Sequence, residues 1–394
     1  MRSSYDVIII GGGMIGSACA WFLAACEGFD GSVLLVERDP SLETASTSRS
    51  ASSIRMQYTT EINIRISQFG AAYIRNFREE TGNDPEAPNI AIQDFGYLLI
   101  AAEAAGAEVL REAAALQRRL GVPTRLMGPE EMAAAFPAIR ADGVALASHN
   151  ALNEGYFDGD GMHPWWRRQA KRRGVEFATD EVVAIERAGG RVAAVTLKSG
   201  ARVGAGHVVN AAGPRAALVA AMAGLSLPVE PRKRFCWIVD PATRPEGPFP
   251  LLSDPSGVYI YPRSGGYHTG CAPDDDHAVA PDDLSMDPDI FMNKVWPALA
   301  ARVPAFEALK IRAEWAGHYA YNTLDQNAVI GPHPDLPNFL FVNGFSGHGL
   351  QQSPAMGRGV AELIAYSEYR TLDMSILGCE RIATSRPFLE KAVI

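Results

Sequence analysis

Cysteine is scarce. The five in the chain (Cys19, Cys26, Cys236, Cys271 and Cys379) are odd in number and nowhere spaced C-x-x-C, which argues against a secreted disulfide framework and against a zinc site. Long apolar runs are lacking as well, since none approaches the length of a membrane span. Basic residues are in deficit: 36 Lys and Arg face 45 Asp and Glu, a net charge of −9, with no extended basic run. Neither nucleic acid nor an anionic membrane surface is therefore an expected partner. No set of His, Cys, Asp and Glu has metal-ligand spacing, and Asp274, Asp275 and Asp276 read as a solvated loop, so no metal is expected. The first apolar strand starts a few residues after Met1, leaving no room for a targeting peptide, and a cytoplasmic location is expected.

What is present begins with YDVIIIGGGMIGSACAWFLAACEGFDGSVLLVE, Tyr5 to Glu37. Asp6 to Ile10 reads as a buried strand, and Gly11, Gly13 and Gly16 form G-x-G-x-x-G. Ile15 to Ala25 continues as an apolar helix, and Val33 to Val36 is a second strand closed by Glu37, 21 residues after Gly16. Gly11 permits the turn, Gly13 lets backbone N–H groups (with Met14 and Ile15 beside it) approach a pyrophosphate, and Gly16 lets helix and strand pack closely. The helix N-terminus adds partial positive charge, and Glu37 can accept from an adenosine ribose. A dinucleotide is expected; the fingerprint alone leaves NAD and FAD open.

Downstream, the serine-rich stretch from Arg38 to Ser53 can lay hydroxyls and N–H groups along the cofactor. A helix is expected from Thr60 to about Glu80, a hairpin-forming strand over Ile90–Ala101, a helix over Ala102–Leu120 and an amphipathic helix over Gly161–Gly174. Three short strands follow, then His207–Arg215, a strand ending in a second glycine turn. Pro228–Gly270 is strand-rich, Ala272–Pro288 reads as an acidic surface excursion, and Ile311–Gly317 as a strand. Phe339–Val342 runs into the glycine-rich Asn343–Gln352, which opens a long helix. Nucleotide-binding pieces thus appear at the start, middle and end, interleaved with strand-rich insertions. The expectation is an α/β protein with a discontinuous Rossmann-like domain and a second, α+β lobe built on an antiparallel sheet.

Three separated motifs, the N-terminal fingerprint, VVNAAGPRA and GFSGHGLQQSPAMGRGVAELI, resemble the D-amino-acid-oxidase-like family of flavoenzymes, among them sarcosine oxidase, glycine oxidase and dimethylglycine dehydrogenase. The resemblance spans nearly the whole chain. It implies FAD on residues 1–88, 150–227 and 325–394, with a substrate domain over 89–149 and 228–324. The implied cofactor contacts are Gly11, Gly13, Met14, Ile15, Gly16, Glu37, Arg38, Ser46, Ser48, Arg49, Ser50, Ala51, Val182, Ala211, Ala212 and Gly213. From the C-terminal loop they add Gly344, Phe345, Ser346, Gly347, His348, Gly349, Leu350 and Gln351. That loop's helix N-terminus is expected at the flavin edge where negative charge develops.

Departures from the family refine these expectations. Arg49 stands where some relatives tether FAD to histidine, and His318 where sarcosine oxidases use cysteine, so FAD is expected to be non-covalent. Arg55 aligns with the arginine that holds the substrate carboxylate in sarcosine oxidases, a role suited to its planar fork. Tyr319 replaces an arginine of glycine oxidase, and Gln351 a carboxylate-binding lysine. His268 falls, by a loose alignment, where sarcosine oxidases place a lysine for oxygen; protonated, it would serve there. With Tyr259 and Tyr261, these residues form the expected catalytic set. The implied activity is oxidation of the C–N bond of an amino acid or N-alkyl amino acid by hydride transfer to flavin N5, giving an imine that hydrolyses. A quinone or carrier protein is slightly favoured over O2 as electron acceptor. A hydroxy-acid dehydrogenase or oxidase, or a flavin-containing assembly factor for a respiratory complex, remain the alternatives.

Overall fold

A computed structural model describes residues 1–263 and 265–391. Its first sheet has eight strands. At its centre Ser4–Ile10 lies parallel to Val33–Glu37 on one side and to Arg202–Asn210 on the other. Glu176–Thr179 extends the parallel array beyond Val33–Glu37. Arg202–Asn210 also takes Leu336–Asn343 in parallel at one end and Arg191–Leu197 antiparallel at the other. The central strands are apolar on both faces, as a parallel sheet covered on both sides requires: Val7, Ile8, Ile9, Leu34, Leu35, Val208 and Val209 are all buried. Helices Met14–Ala24, Gly159–Arg172 and Gly349–Tyr366 pack together on one side, where Trp21 meets Trp165 edge-on at 4.7 Å.

The second sheet also has eight strands. Its longest pair, Val229–Pro241 with Leu309–Asn322, is antiparallel, so the expected strand at 311–317 is longer at both ends. Every pairing in this sheet is antiparallel except Leu251–Ser253, which runs parallel to Tyr97–Ala101. The expected hairpin strand at Ile90–Ala101 is divided. Ile92–Gln93 joins a small third sheet with Gly155–Phe157 and Ser53–Ile54, and Tyr97–Ala101 enters the second sheet. The exchange of partners occurs at Gly96, whose N–H donates to Glu154 O at 2.9 Å and whose carbonyl accepts from Leu251 N at 2.8 Å.

The chain beyond Tyr366, on which the sequence gives little signal, wraps back over the first sheet. Asp325 and Arg381 form a buried ion pair at 2.6 Å, and Arg381 also donates to the carbonyls of Gly378 and Ala328. Glu390, fully buried, accepts from Thr59 N at 2.9 Å, Thr59 Oγ1 at 2.6 Å, Thr60 Oγ1 at 2.7 Å and Asn63 Nδ2 at 3.0 Å. The tail thus ties down the loop entering helix Glu61–Arg75. Among the described residues no helix is long and apolar enough to cross a membrane.

Candidate active site

Both large sheets and their loops border one cavity of about 340 Å³. One end lies at the carboxyl edge of the central parallel strands. Gly11 there has φ +104°, and a Cβ would fall 2.5 Å from Ala211 O, so two backbones meet where no side chain fits. A Cβ on Gly16 would fall 1.8 Å from Gly11 O, the close helix–strand approach that the spacing predicts. Glu37 closes the second strand with its oxygens accepting from Gly12 N at 2.6 Å and Asp39 N at 2.8 Å, and it lines the cavity. Met14 N donates to Thr47 Oγ1 at 2.9 Å, which brings the serine-rich loop over the helix N-terminus.

That loop is pinned to the second sheet. Ser46 Oγ donates to His318 O at 2.7 Å and Arg49 Nη1 to Ala316 O at 2.8 Å, while Arg49 Nε braces the loop internally on Glu43 O at 2.9 Å. Beneath the turn, His163 Nε2 lies 3.0 Å from Gly12 O and 3.1 Å from Ser17 Oγ, and burial pulls its pKa down. In sequence His163 is only a histidine at a helix start; its role as a prop depends on a contact 151 residues away.

The far end of the cavity holds Arg55, Tyr58, Tyr97, Arg234, Tyr259, Tyr319 and His348. Arg55 is buried, with Nη2 2.9 Å from His348 Nε2 and its guanidinium 4.5 Å from the centre of the Tyr58 ring. Burial and the Arg55 charge hold the His348 pKa well below its ordinary value, so the imidazole is neutral and accepts at Nε2. Gln351 accepts from Arg55 N at 2.8 Å through Oε1 and donates through Nε2 to Tyr58 OH, so its amide clamps the arginine loop. Tyr319 packs its ring on Gly347, where a Cβ would approach to 2.4 Å.

Other expected site residues stand elsewhere. His268 does not border the cavity. It is fully buried behind Tyr261, with Nδ1 2.9 Å from Tyr261 OH and 3.1 Å from Arg263 Nη1. Burial and the Arg263 charge drive its pKa well below the ordinary value, so it is not a cation at neutral pH, contrary to the role considered from the alignment. Tyr261 likewise lies behind the wall, donating to Ala51 O, whereas Tyr259 reaches the cavity with its hydroxyl 3.6 Å from Cys236 Sγ. Gly16, Ser48, Gly344 and Ser346 support the lining without joining it; Ser346 Oγ, for instance, accepts from Asn322 N at 3.0 Å. His318 and Gln351 do line it. Ser50, Ala51, Val182, Ala212, Gly213, Phe345 and Leu350 also border it, with Arg38, Ile15 and Gly349. No group of three or more His, Cys, Asp or Glu among the described residues is placed to hold a metal ion.

Glu154 is a site component that sequence reading misses. Fully buried, it accepts from Met56 N at 2.6 Å, Gln57 N at 3.0 Å and Gln57 Nε2 at 2.8 Å, and so fixes the chain just after Arg55. Burial raises its pKa from 4.5 to about 7 despite those donors. A carboxyl with a raised folded-state pKa holds its proton more tightly when folded. The stability it lends is present below about 4.5 and lost as pH rises through about 7. Relative to Glu154→Gln, the native protein is expected to lose roughly 2–3 kcal/mol between pH 5 and pH 8. Urea midpoints of both proteins at the two pH values check this; a constant difference would refute it.

The glycine cradle, the acid at the second strand and the cavity continuing to the second sheet fit an extended dinucleotide. A family model described as FAD dependent oxidoreductase matches residues 6–363. The chain is 39% identical over 428 residues to FAD-dependent oxidoreductase domain-containing protein 1 of Xenopus laevis, covering 99% of this chain and 85% of that protein. It is 26% identical to glycine oxidase of Bacillus licheniformis, covering 97% of this chain and 98% of the other. Among solved structures, L-proline dehydrogenase from P. horikoshii superposes with a TM-score of 0.83 at 27% identity, over 98% of this chain and 99% of the other. With matches that run almost end to end and a cavity of this form, the chain belongs to the DAO family of FAD-dependent oxidoreductases.

Proposed function

We propose that this FAD-dependent oxidoreductase oxidises the C–N bond of an amino acid or N-alkyl amino acid. The observation that carries the reading is Arg55, a buried guanidinium at the far end of the cofactor cavity, aimed by Gln351 and His348. Its planar fork is suited to a substrate carboxylate, and Tyr259 and Tyr319 wall the space for the remainder of the molecule. Bound FAD supplies the two-electron acceptor that takes a hydride from the carbon beside nitrogen, leaving an imine that water hydrolyses. On this reading residues 1–88, 150–227 and 325–394 carry the cofactor, and 89–149 and 228–324 cover its reacting face.

FAD is held without a covalent bond in this proposal. Arg49 is turned to two carbonyls, and His318 Nε2 lies 2.8 Å from Asp283 O. A quinone or carrier protein, rather than O2, is the favoured acceptor, because His268 is buried and neutral. Anaerobic mixing of the yellow protein with sarcosine, dimethylglycine, glycine, proline and longer N-substituted amino acids tests the activity. Bleaching by at least one, slow recovery in air and full release of flavin on acid precipitation are expected. A flavin that none of these amines reduces would refute the reading.

A further inference from the structure

Arg234 lies on strand Val229–Pro241, whose alternation sends Phe235, Trp237 and Val239 into the core of the second lobe. The opposite face carries Arg232, Arg234 and Cys236, of which Arg234 and Cys236 border the cavity. Arg234 is 9% exposed, and its guanidinium sits 4.5 Å from the centre of the Tyr319 ring. Tyr319 is close enough to both Arg234 and Arg55 for each charge to act on its hydroxyl. This end of the cavity therefore carries two cations, Arg55 over the Tyr58 ring and Arg234 over the Tyr319 ring.

The Arg234 fork is occupied from within. Nη1 and Nη2 meet Asp276 Oδ1 and Oδ2 at 2.9 and 3.0 Å, while the buried Nε has no hydrogen-bond partner. Asp276, one of three aspartates that read as a solvated loop in the sequence, is thus the counter-ion of Arg234, and of the two only the arginine borders the cavity. Its loop is anchored on both sides by other contacts. Asp274 pairs with Lys294 at 2.7 Å, Val279 N donates to Pro231 O at 2.9 Å, and Asp283 pairs with Lys233 at 2.7 Å. Asp276 can leave Arg234 without the loop coming free, and Arg232, 3.7 Å from its Oδ2, offers a second cation nearby. An apolar side chain would build this wall at lower desolvation cost than a buried arginine with a half-buried counter-ion, so a wall alone does not account for the arginine.

We propose that Arg234 is a second acid-recognition point, with Asp276 as its exchangeable partner, and that the substrate is an amino acid or N-substituted amino acid bearing a second carboxylate. This rests on the amine-oxidation reading above and names its substrate class. Arg55 takes one carboxylate, and the second replaces Asp276 on Arg234, one bidentate pair exchanging for another of the same chemistry. Because the exchange is a competition, the intramolecular carboxylate lowers the apparent affinity for the incoming one.

Two measurements on the FAD-loaded protein test it. The first is the rate of anaerobic flavin reduction by iminodiacetate and N-(2-carboxyethyl)glycine against their monoacid counterparts, N-ethylglycine and N-propylglycine. The second is calorimetric binding of glutarate against butyrate, which needs no turnover. The diacids are expected to be favoured by about tenfold or more in both, and Arg234→Gln to bring the ratios near one. Asp276→Asn is expected to tighten glutarate binding by roughly 3- to 10-fold, because the competitor is removed. A merely structural pair would make both variants weaken binding together. If Arg234→Gln loses its flavin or does not fold, Asp276→Asn decides alone, and weaker glutarate binding there overturns the proposal. Equal rates for diacids and monoacids in the native protein overturn it too, while leaving amine oxidation standing. If no amine reduces the flavin the activity reading fails, and the glutarate–butyrate ratio still decides whether Arg234 is an acid site.

Discussion

Alanine at Gly16 is expected to give a colourless protein. The added carbon would stand 1.8 Å from Gly11 O, a backbone atom fixed by the turn, with Ile9 also at 3.4 Å. Neither can swing aside as the tip of a long side chain can. The helix Met14–Ala24 must instead back away from the strand, carrying its N-terminal N–H groups and their partial positive charge off the pyrophosphate position. Overpacking of this kind costs about 1–3 kcal/mol in stability. The greater effect falls on the cofactor, whose retention should drop by roughly 100-fold or more as two or more charge-assisted hydrogen bonds are lost. Flavin-to-protein ratio after gel filtration measures it. Gly128→Ala, where the new carbon meets nothing within 4 Å, is the matched control and should stay yellow. A Gly16→Ala protein with one flavin per chain would show that the cradle is not where FAD lies.

Removing the Arg55 guanidinium should be equally severe for catalysis. Arg55→Met is expected to cut kcat/KM for flavin reduction by carboxylated amines by about 10²–10³-fold, the consequence of losing one partner of a desolvated charge pair. Arg55→Lys keeps the charge but not the fork, and should recover only part of the loss. Stopped-flow reduction under nitrogen separates the two contributions. A rise in KM alone marks lost binding, whereas an equal fall in kcat and kcat/KM marks lost alignment of the reacting carbon. Full activity in Arg55→Met would remove this residue from the site.

The cofactor end of the cavity is legible in sequence because its determinants are local. The interval from Gly11 through Gly16 to Glu37 is one strand–turn–helix–strand unit, and its spacing alone dictates the close approach seen at Gly11 and Gly16. The substrate end is less so. His268 falls at its position only across a gap, and its distance from the cavity follows from its place along the sheet: it pairs with Tyr261 and Ile238 on the same face as Tyr259 and Cys236, but it stands farther from the cofactor, with Tyr261 and Arg263 against its ring. Glu154 and Glu390 have no local signature, since each is meaningful only through donors brought from far along the chain. Arg234 did leave a trace. The alternation Arg232, Arg234, Cys236 against Phe235, Trp237, Val239 is a strand with one apolar face, and it places a cation opposite the core.

Glu390 binds Thr59 across a separation of 331 residues, and Thr59 follows Arg55 by a single turn of chain. During synthesis the arginine loop leaves the ribosome long before the residue that anchors it. The fingerprint strand and helix can assemble early, yet the loop that carries Arg55 cannot be finished until Glu390 has emerged and folded back. Lesions around Glu390 should therefore be read out at Arg55, in proteins that still look flavin-loaded and well folded.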